Sequence, residues 1–307
     1  MNELQSDLLE KRIASRKQLY RDTIRAASLG LLINGLLAVV KIIGGILGHS
    51  IALLSDALNS VGDAVSSGVV IFALTFAQRP PTEKHPYGHT RMEAVAATNV
   101  ALLIIISTCL FAWEAIQQLS VQHAIPPMWT LWIAGANVVI KESLYHYKVH
   151  IYRKTRSLSI LANAWDHRGD AFCSLTVLIG LFVIWWFGPD YIWADEVASL
   201  FVVAAIIWTA SRLLYKGFSE LLDSQAEDDL VAEIRKSAES HDQVVDVETL
   251  RVRKSGLELL VDIHIEVDGG LRVDEGHYIG HQVKDQLLLQ FPNIKDVLVH
   301  IEPKNQI

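Results

Sequence analysis

The chain has 307 residues, 51% of them hydrophobic and only 20% charged, and its mean hydropathy is +0.28. That balance is too apolar for an ordinary soluble domain and reads as a membrane protein. The formal net charge of -7 averages basic residues clustered at membrane edges with acidic ones in the last quarter and implies no nucleic-acid partner, and Cys109 and Cys173, in apolar segments without CxxC spacing, argue against a disulfide framework or thiolate metal site.

In chain order, residues 1–23 ("MNELQSDLLEKRIASRKQLYRDT") read as a polar, partly amphipathic cytosolic helix, with no apolar signal region directly after its charges. A helix needs roughly 20 mainly apolar residues to cross about 30 Å of hydrocarbon. Six stretches approach this length, at 24–47, 51–77, 92–119, 128–150, 159–187 and 191–217. The turns at 48–50, 120–127 and 187–191 lack Lys and Arg. The other ends carry Lys11, Arg12, Arg16, Lys17, Arg21 and Arg25, then Arg79, Lys84 and Arg91, then Arg153, Lys154 and Arg156, then Arg212 and Lys216. An even number of spans with this bias puts both termini in the cytosol. The membrane region is expected over 24–219, followed by a soluble domain over 220–307. There, "DLVAEIRKSAES" has helical spacing, "VVDVETLRVRKSG" and "LELLVDIHIEVD" alternate like strands, "RVDEGHYIGHQVKDQLLLQF" is helical up to Pro292, and "KDVLVHIEP" is a last strand. The order αββαβ defines a small α+β domain, of a size that often gains stability by oligomerising.

The second span contains "SDALNSVGD". An ionisable side chain at mid-bilayer is costly unless it faces a cavity, pairs or binds something. Asn59 and Asp63 are four residues apart and share a helix face, with Asp56 a turn or two back. In the fifth span "AWDHRGDAF" repeats the spacing with Asp166 and Asp170. Two such pairs bring four oxygen donors to bear on one point, the outline of a divalent-cation site. The structural alternative is a set of caps and ion pairs with Arg168 and Lys41 as cations. His167 points about 100° away from Asp166 and reads as a flanking group. Lys141 and Glu142 in the fourth span are adjacent rather than stacked and read as a structural ion pair. Trp185, Trp186 and Trp193 read as interfacial aromatics.

Taken together, the six spans, "SDALNSVGD", "HPYGHTRMEA", "AWDHRGDAF" and a tail ending "VHIEP" resemble the cation diffusion facilitators over residues 24 to 303. The resemblance implies homodimeric exchangers of divalent transition metals for protons, with no enzymatic activity, no bound cofactor and a ferredoxin-like, metallochaperone-like cytosolic domain. It implies a multi-pass protein of the cytoplasmic or inner membrane. It places the transport site at Asn59, Asp63, Asp166 and Asp170. Zinc members usually have histidine at one or both of the positions held here by Asn59 and Asp166. An oxygen-only set suits harder ions such as Mn2+, and resembles the manganese-exporting branch. Fe2+, Zn2+ or Co2+ export is the alternative within the family.

The resemblance also implies a hinge lock between Arg91 and Asp223, a loop metal site at His85 and His89, and a regulatory C-terminal site from Glu248, His264, His277, His300 and Glu302, with His281 as a possible substitute. In the loop, the usual acidic partner falls at Thr82; in the tail, an expected histidine is Glu248. A membrane-anchored metal sensor would gain nothing from two acidic pairs in the bilayer. A magnesium-using lipid phosphotransferase would want them near headgroup level beside basic residues.

Overall fold

The computed structural model describes residues 3–47, 51–118, 128–187 and 192–304. The turns expected at 48–50, 120–127 and 187–191 fall, but for Phe187, outside the described residues. Six long helices come first: α1 (Glu3–Leu47), α2 (Ile51–Ala77), α3 (Met92–Gln118), α4 (Met128–Thr155), α5 (Leu158–Phe187) and α6 (Ile192–Leu221). The polar N-terminal segment and the first apolar stretch form one continuous helix of 45 residues. No proline or glycine pair interrupts residues 3 to 43, so nothing in the backbone chemistry forces a break where composition changes. Among the described residues, stretches within three helices, Ile13–Gly44, Ser60–Ala77 and Met92–Leu110, are long and apolar enough to cross a membrane. The chain forms two compact units.

The helical unit comprises Asp22–Arg79 and Met92–Phe218. Here α5 packs on α2, α3 and α4. Its pattern is inverted relative to a soluble bundle. Leu32, Leu36, Val40 and Ile43 lie exposed along one side of α1, while Asn34, Lys41, Ser60, Asp63, Lys141, Lys148, Asn163 and His167 are buried. Apolar outside and polar inside is what a hydrocarbon solvent selects, because lipid cannot hydrogen-bond the polar groups. Small residues let the helices approach. A Cβ at Gly30 of α1 would collide with the Lys148 ammonium, so glycine there leaves room for a buried lysine.

The second unit comprises Met1–Arg21, Pro80–Arg91 and Ser219–Ile307. Its elements are α7 (Asp228–Glu239), β1 (Asp246–Ser255), β2 (Glu258–Asp268), α8 (Val273–Gln290) and β3 (Ile294–Lys304), the αββαβ order read from the periodicity. The sheet order is β1-β2-β3, with β1 and β2 antiparallel and β2 and β3 parallel. Gly256 supplies the positive φ of 66° that the two-residue hairpin between β1 and β2 needs. The parallel pair requires a crossover, which α8 provides. Ile234 of α7 and Ile279, Val283 and Leu287 of α8 bury against Val252, Ile263, Ile265 and Val297 of the strands. Alternation then fixes the opposite sheet face. His264 stands between buried Ile263 and Ile265 and points away from the helices.

Candidate metal centre

In the helical unit the carboxylates of α2 and α5 meet around a lysine of α4. The Lys141 ammonium donates to Asp63 Oδ2 at 2.5 Å and to Asp170 Oδ2 at 2.9 Å. Lys141 is 1% exposed and Asp63 5%, so this is a desolvated three-helix junction. Asp166, one turn from Asp170, accepts a hydrogen bond from Ser66 and lies within electrostatic reach of Asp63 and Asp170. Asn59 sits on α2 one turn before Asp63, but its side chain, like that of Asp56, is outside the described ones. The structure thus brings Asp63, Asp166 and Asp170 together.

A second polar layer adjoins the first. Lys148, two turns after Lys141 on the same face of α4, bonds the Asn163 side-chain oxygen and lies 2.7 Å from His167 Nε2. Asn163 in turn donates to Ser66 at 3.3 Å and accepts from Ser67 at 3.3 Å. His167 is fully buried and belongs to this layer rather than to the carboxylates.

The local pair read for Lys141 and Glu142 does not form. Adjacent helical residues diverge by about 100°, and Glu142 instead contacts His146 at 3.1 Å and Arg168 at 3.8 Å. Arg168 packs over Tyr145, 4.2 Å from its ring centre, and Lys41 donates to Ser60 at 2.9 Å. Among the described residues, the two lysines of α4 hydrogen-bond into the buried cluster. Their signal was present in the sequence. Lysines seven apart in an apolar helix share one face, and neither can be left unpaired in lipid.

In the second unit the loop is organised around His85. Thr82 and His85 exchange backbone hydrogen bonds at 3.1 and 3.0 Å, and the rings of His85 and His89 lie with centres 4.8 Å apart and planes tilted by 58°. Thr82 stands where the resemblance leads one to expect an acidic ligand, and it serves the loop as a backbone partner. Arg91 forms an ion pair with Asp223 and donates to Leu221 O at 3.3 Å, while Arg253 reaches Asp223 from the other side at 3.4 Å. The Arg91 hydrogen bond holds the Asp223 carboxyl below the usual carboxylate range.

On the outer sheet face, His264 Nδ1 lies 2.8 Å from Glu302 Oε1, and His300 Nε2 lies 3.6 Å from the same oxygen. Among the described residues, His264, His300 and Glu302 form a group of possible metal donors within 4.8 Å of one another. The parallel register pairs His264 with His300. A bulge between Val247 and Thr249 of β1 leaves Glu248 out of the ladder and lets its carboxyl bond to that of Glu302. The bond raises the Glu248 carboxyl above its ordinary range, and the contact from His264 lowers that of Glu302. His277 does not join this cluster within one chain. It lies on the exposed side of α8, its Nε2 3.1 Å from that of His281, whereas Ile301 between His300 and Glu302 faces Gly276 and Gly280 of that helix.

Two family models match the chain: cation efflux transmembrane domain over residues 27–222, and cation efflux protein, cytoplasmic domain, over residues 226–304. The chain is similar to the manganese efflux system protein MneP of Bacillus subtilis, at 28% identity over 94% of this chain and 98% of that protein. It is similar to the metal tolerance protein 2 of Oryza sativa, at 30% over 92% and 79%, and to the manganese efflux system protein MneS of Bacillus subtilis, at 29% over 88% and 92%. A solved structure of the MamM CTD, 26% identical, covers 25% of this chain and 95% of its own with a TM-score of 0.24. The chain therefore belongs to the cation efflux family, the cation diffusion facilitators, and is a multi-pass membrane transporter of metal cations rather than an enzyme.

Proposed function

We propose that this protein exports divalent transition-metal cations from the cytosol in exchange for protons, with Mn2+ preferred, as a homodimer in the cytoplasmic (inner) membrane with both termini cytosolic. The observation that carries the reading is the buried convergence of Asp63, Asp166 and Asp170 from two helices, with Asn59 one turn from Asp63. Carboxylate and amide oxygens suit Mn2+ better than Zn2+, which prefers imidazole and thiolate. The manganese named for MneP and MneS points the same way. Because zinc stands above manganese in intrinsic affinity, discrimination rests on geometry and coordination number.

Coupling follows from the ligands. Metal requires deprotonated carboxylates and so releases protons when it binds. A carrier that presents the cluster first to one side and then to the other exchanges the two. Proton-motive force then drives metal outward. The matched cytoplasmic domain model is named for dimerisation, and a domain this small gains stability from a partner. The Arg91 and Asp223 pair acts as the hinge lock. Glu248, His264, His300 and Glu302 form a mixed nitrogen and oxygen site that senses cytosolic metal, to which His277 contributes from the partner subunit. His85 and His89 offer a weaker loop site.

The test is initial flux of Mn2+, Fe2+, Co2+ and Zn2+ into proteoliposomes with an imposed pH gradient. Mn2+ should move fastest and should carry protons the other way. A wild type that moves Zn2+ well and Mn2+ not at all would refute the preference.

A further inference from the structure

We propose that the Lys141 ammonium is a tethered cation that takes turns with the transported metal on Asp63 and Asp170, an inference that rests on the transport site just described. The first support is geometric. Lys141 reaches from α4 to a carboxylate on α2 and another on α5, at 2.5 and 2.9 Å. These are oxygens of two of the carboxylates that would hold the metal. Divalent ions hold carboxylate oxygens at about 2.0–2.2 Å, which brings two bound oxygens to roughly 3 Å from each other. An ammonium hydrogen-bonded to both carboxylates would then sit a few ångströms from the dication, where the two positive charges repel strongly.

The second support is charge. Among the described residues, Asp63, Asp166 and Asp170 face Lys141 and Lys148, so with every group ionised three negative charges meet two positive ones. A divalent ion added beside both ammoniums would leave one excess positive charge in a low-dielectric setting, which is costly. If Lys141 withdraws as metal arrives, three carboxylates face one dication and one ammonium, and the cluster is neutral. Lys141 has a flexible four-carbon stem that permits the swing. Lys148 has less freedom. Asn163 and His167 hold its head, and α1 passes against it at Gly30.

The consequence for transport is twofold. On the metal-free return the two ammoniums and one proton on the remaining carboxylate neutralise the cluster, so the helices can rearrange without bare buried charge and that proton leaves when metal binds. The Lys141 ammonium also weakens metal binding by competition, which favours release. Lys141 is on this account a specificity element as well, because a single positive charge displaces a tethered ammonium less well than a divalent one.

The experiment uses purified full-length protein, with equilibrium Mn2+ binding in detergent and flux in proteoliposomes measured on the same preparations. Lys141→Met should bind Mn2+ at least about tenfold tighter than wild type, as expected when a neighbouring positive charge is removed, yet turn over more slowly at saturating Mn2+. Lys141→Arg, which keeps the charge, should bind no tighter than wild type. In Lys141→Ala, added methylammonium should weaken Mn2+ binding again, while leaving wild type unchanged. Equal or weaker Mn2+ binding by a monodisperse Lys141→Met protein overturns the proposal, as does insensitivity of the Ala variant to methylammonium. Failure of all three variants to fold also overturns it, because Lys141 would then be a fixed structural ion. If wild type itself moves no metal, the transport reading fails, whatever the binding data show.

Discussion

Between α2, α4 and α5 three carboxylates are met by two lysines that are 1% and 0% exposed, whereas on the outer sheet face Glu302 is met by imidazoles whose side chains are 37% and 63% exposed. Both places gather donors able to hold a metal. In the buried cluster solvent cannot neutralise excess charge, so the protein supplies tethered counter-charges, and removing one leaves a buried ion without its partner. On the sheet face water screens every group, so imidazoles and carboxylates can stand together without a lysine. The buried cluster suits obligatory transport chemistry, and the exposed one suits adjustable sensing.

The comparison would break most visibly in flux. If the proposed mechanism holds, Asp63→Ala and Asp170→Ala should each abolish transport of every metal, beyond the 10- to 100-fold that losing an outer-shell partner costs, since each would remove a ligand and a proton carrier together, about two orders of magnitude or more. Glu302→Ala in the same assay should leave flux at saturating metal within about twofold, because an exposed sensing site is not on the transport path. An intermediate effect is expected at Asp166→His. One imidazole should raise the Zn2+ to Mn2+ flux ratio by roughly tenfold, and an unchanged ratio would show that ligand softness does not set selectivity here.

Next comes the effect expected at the sheet face. His300→Ala should weaken metal binding to that site by at least about tenfold, no less than losing an outer-shell partner costs, as read by calorimetry on a protein also carrying Asp63→Ala to silence the transport site. The smallest effect belongs to the clasp at Asp223. Its carboxyl is held low by Arg91, so its contribution is present above the unfolded carboxylate range and disappears as pH falls through the lowered value. Melting temperatures of wild type and Asp223→Asn should differ slightly near neutrality and converge in acid. A gap that widens with acidification would contradict the sign.

Much of this was legible in the sequence because the signals are local. Alternation in "VVDVETLRVRKSG" and "LELLVDIHIEVD" marked the two strands that form β1 and β2, and the four-residue spacing of Asp166 and Asp170 placed both on one face. Reading failed where a partner comes from another helix. Lys141 sits beside Glu142 in sequence, but its partners Asp63 and Asp170 lie 78 and 29 residues away, a distance that periodicity within a single helix does not encode. Lys148 was missed for the same reason, since it depends on Asn163 and on the gap at Gly30. The role of Glu248 rests on a bulge that only the ladder register reveals.

The central claim is that the buried carboxylates exchange metal for protons, and proton counter-movement reports on it most directly. Proteoliposomes loaded with a pH-sensitive dye should, on addition of external Mn2+, show proton movement opposite to the metal, with a fixed ratio to Mn2+ flux measured in parallel, and Asp63→Ala should show neither. Mn2+ flux that proceeds at an undiminished rate with no proton movement, or that survives in Asp63→Ala, would contradict the account.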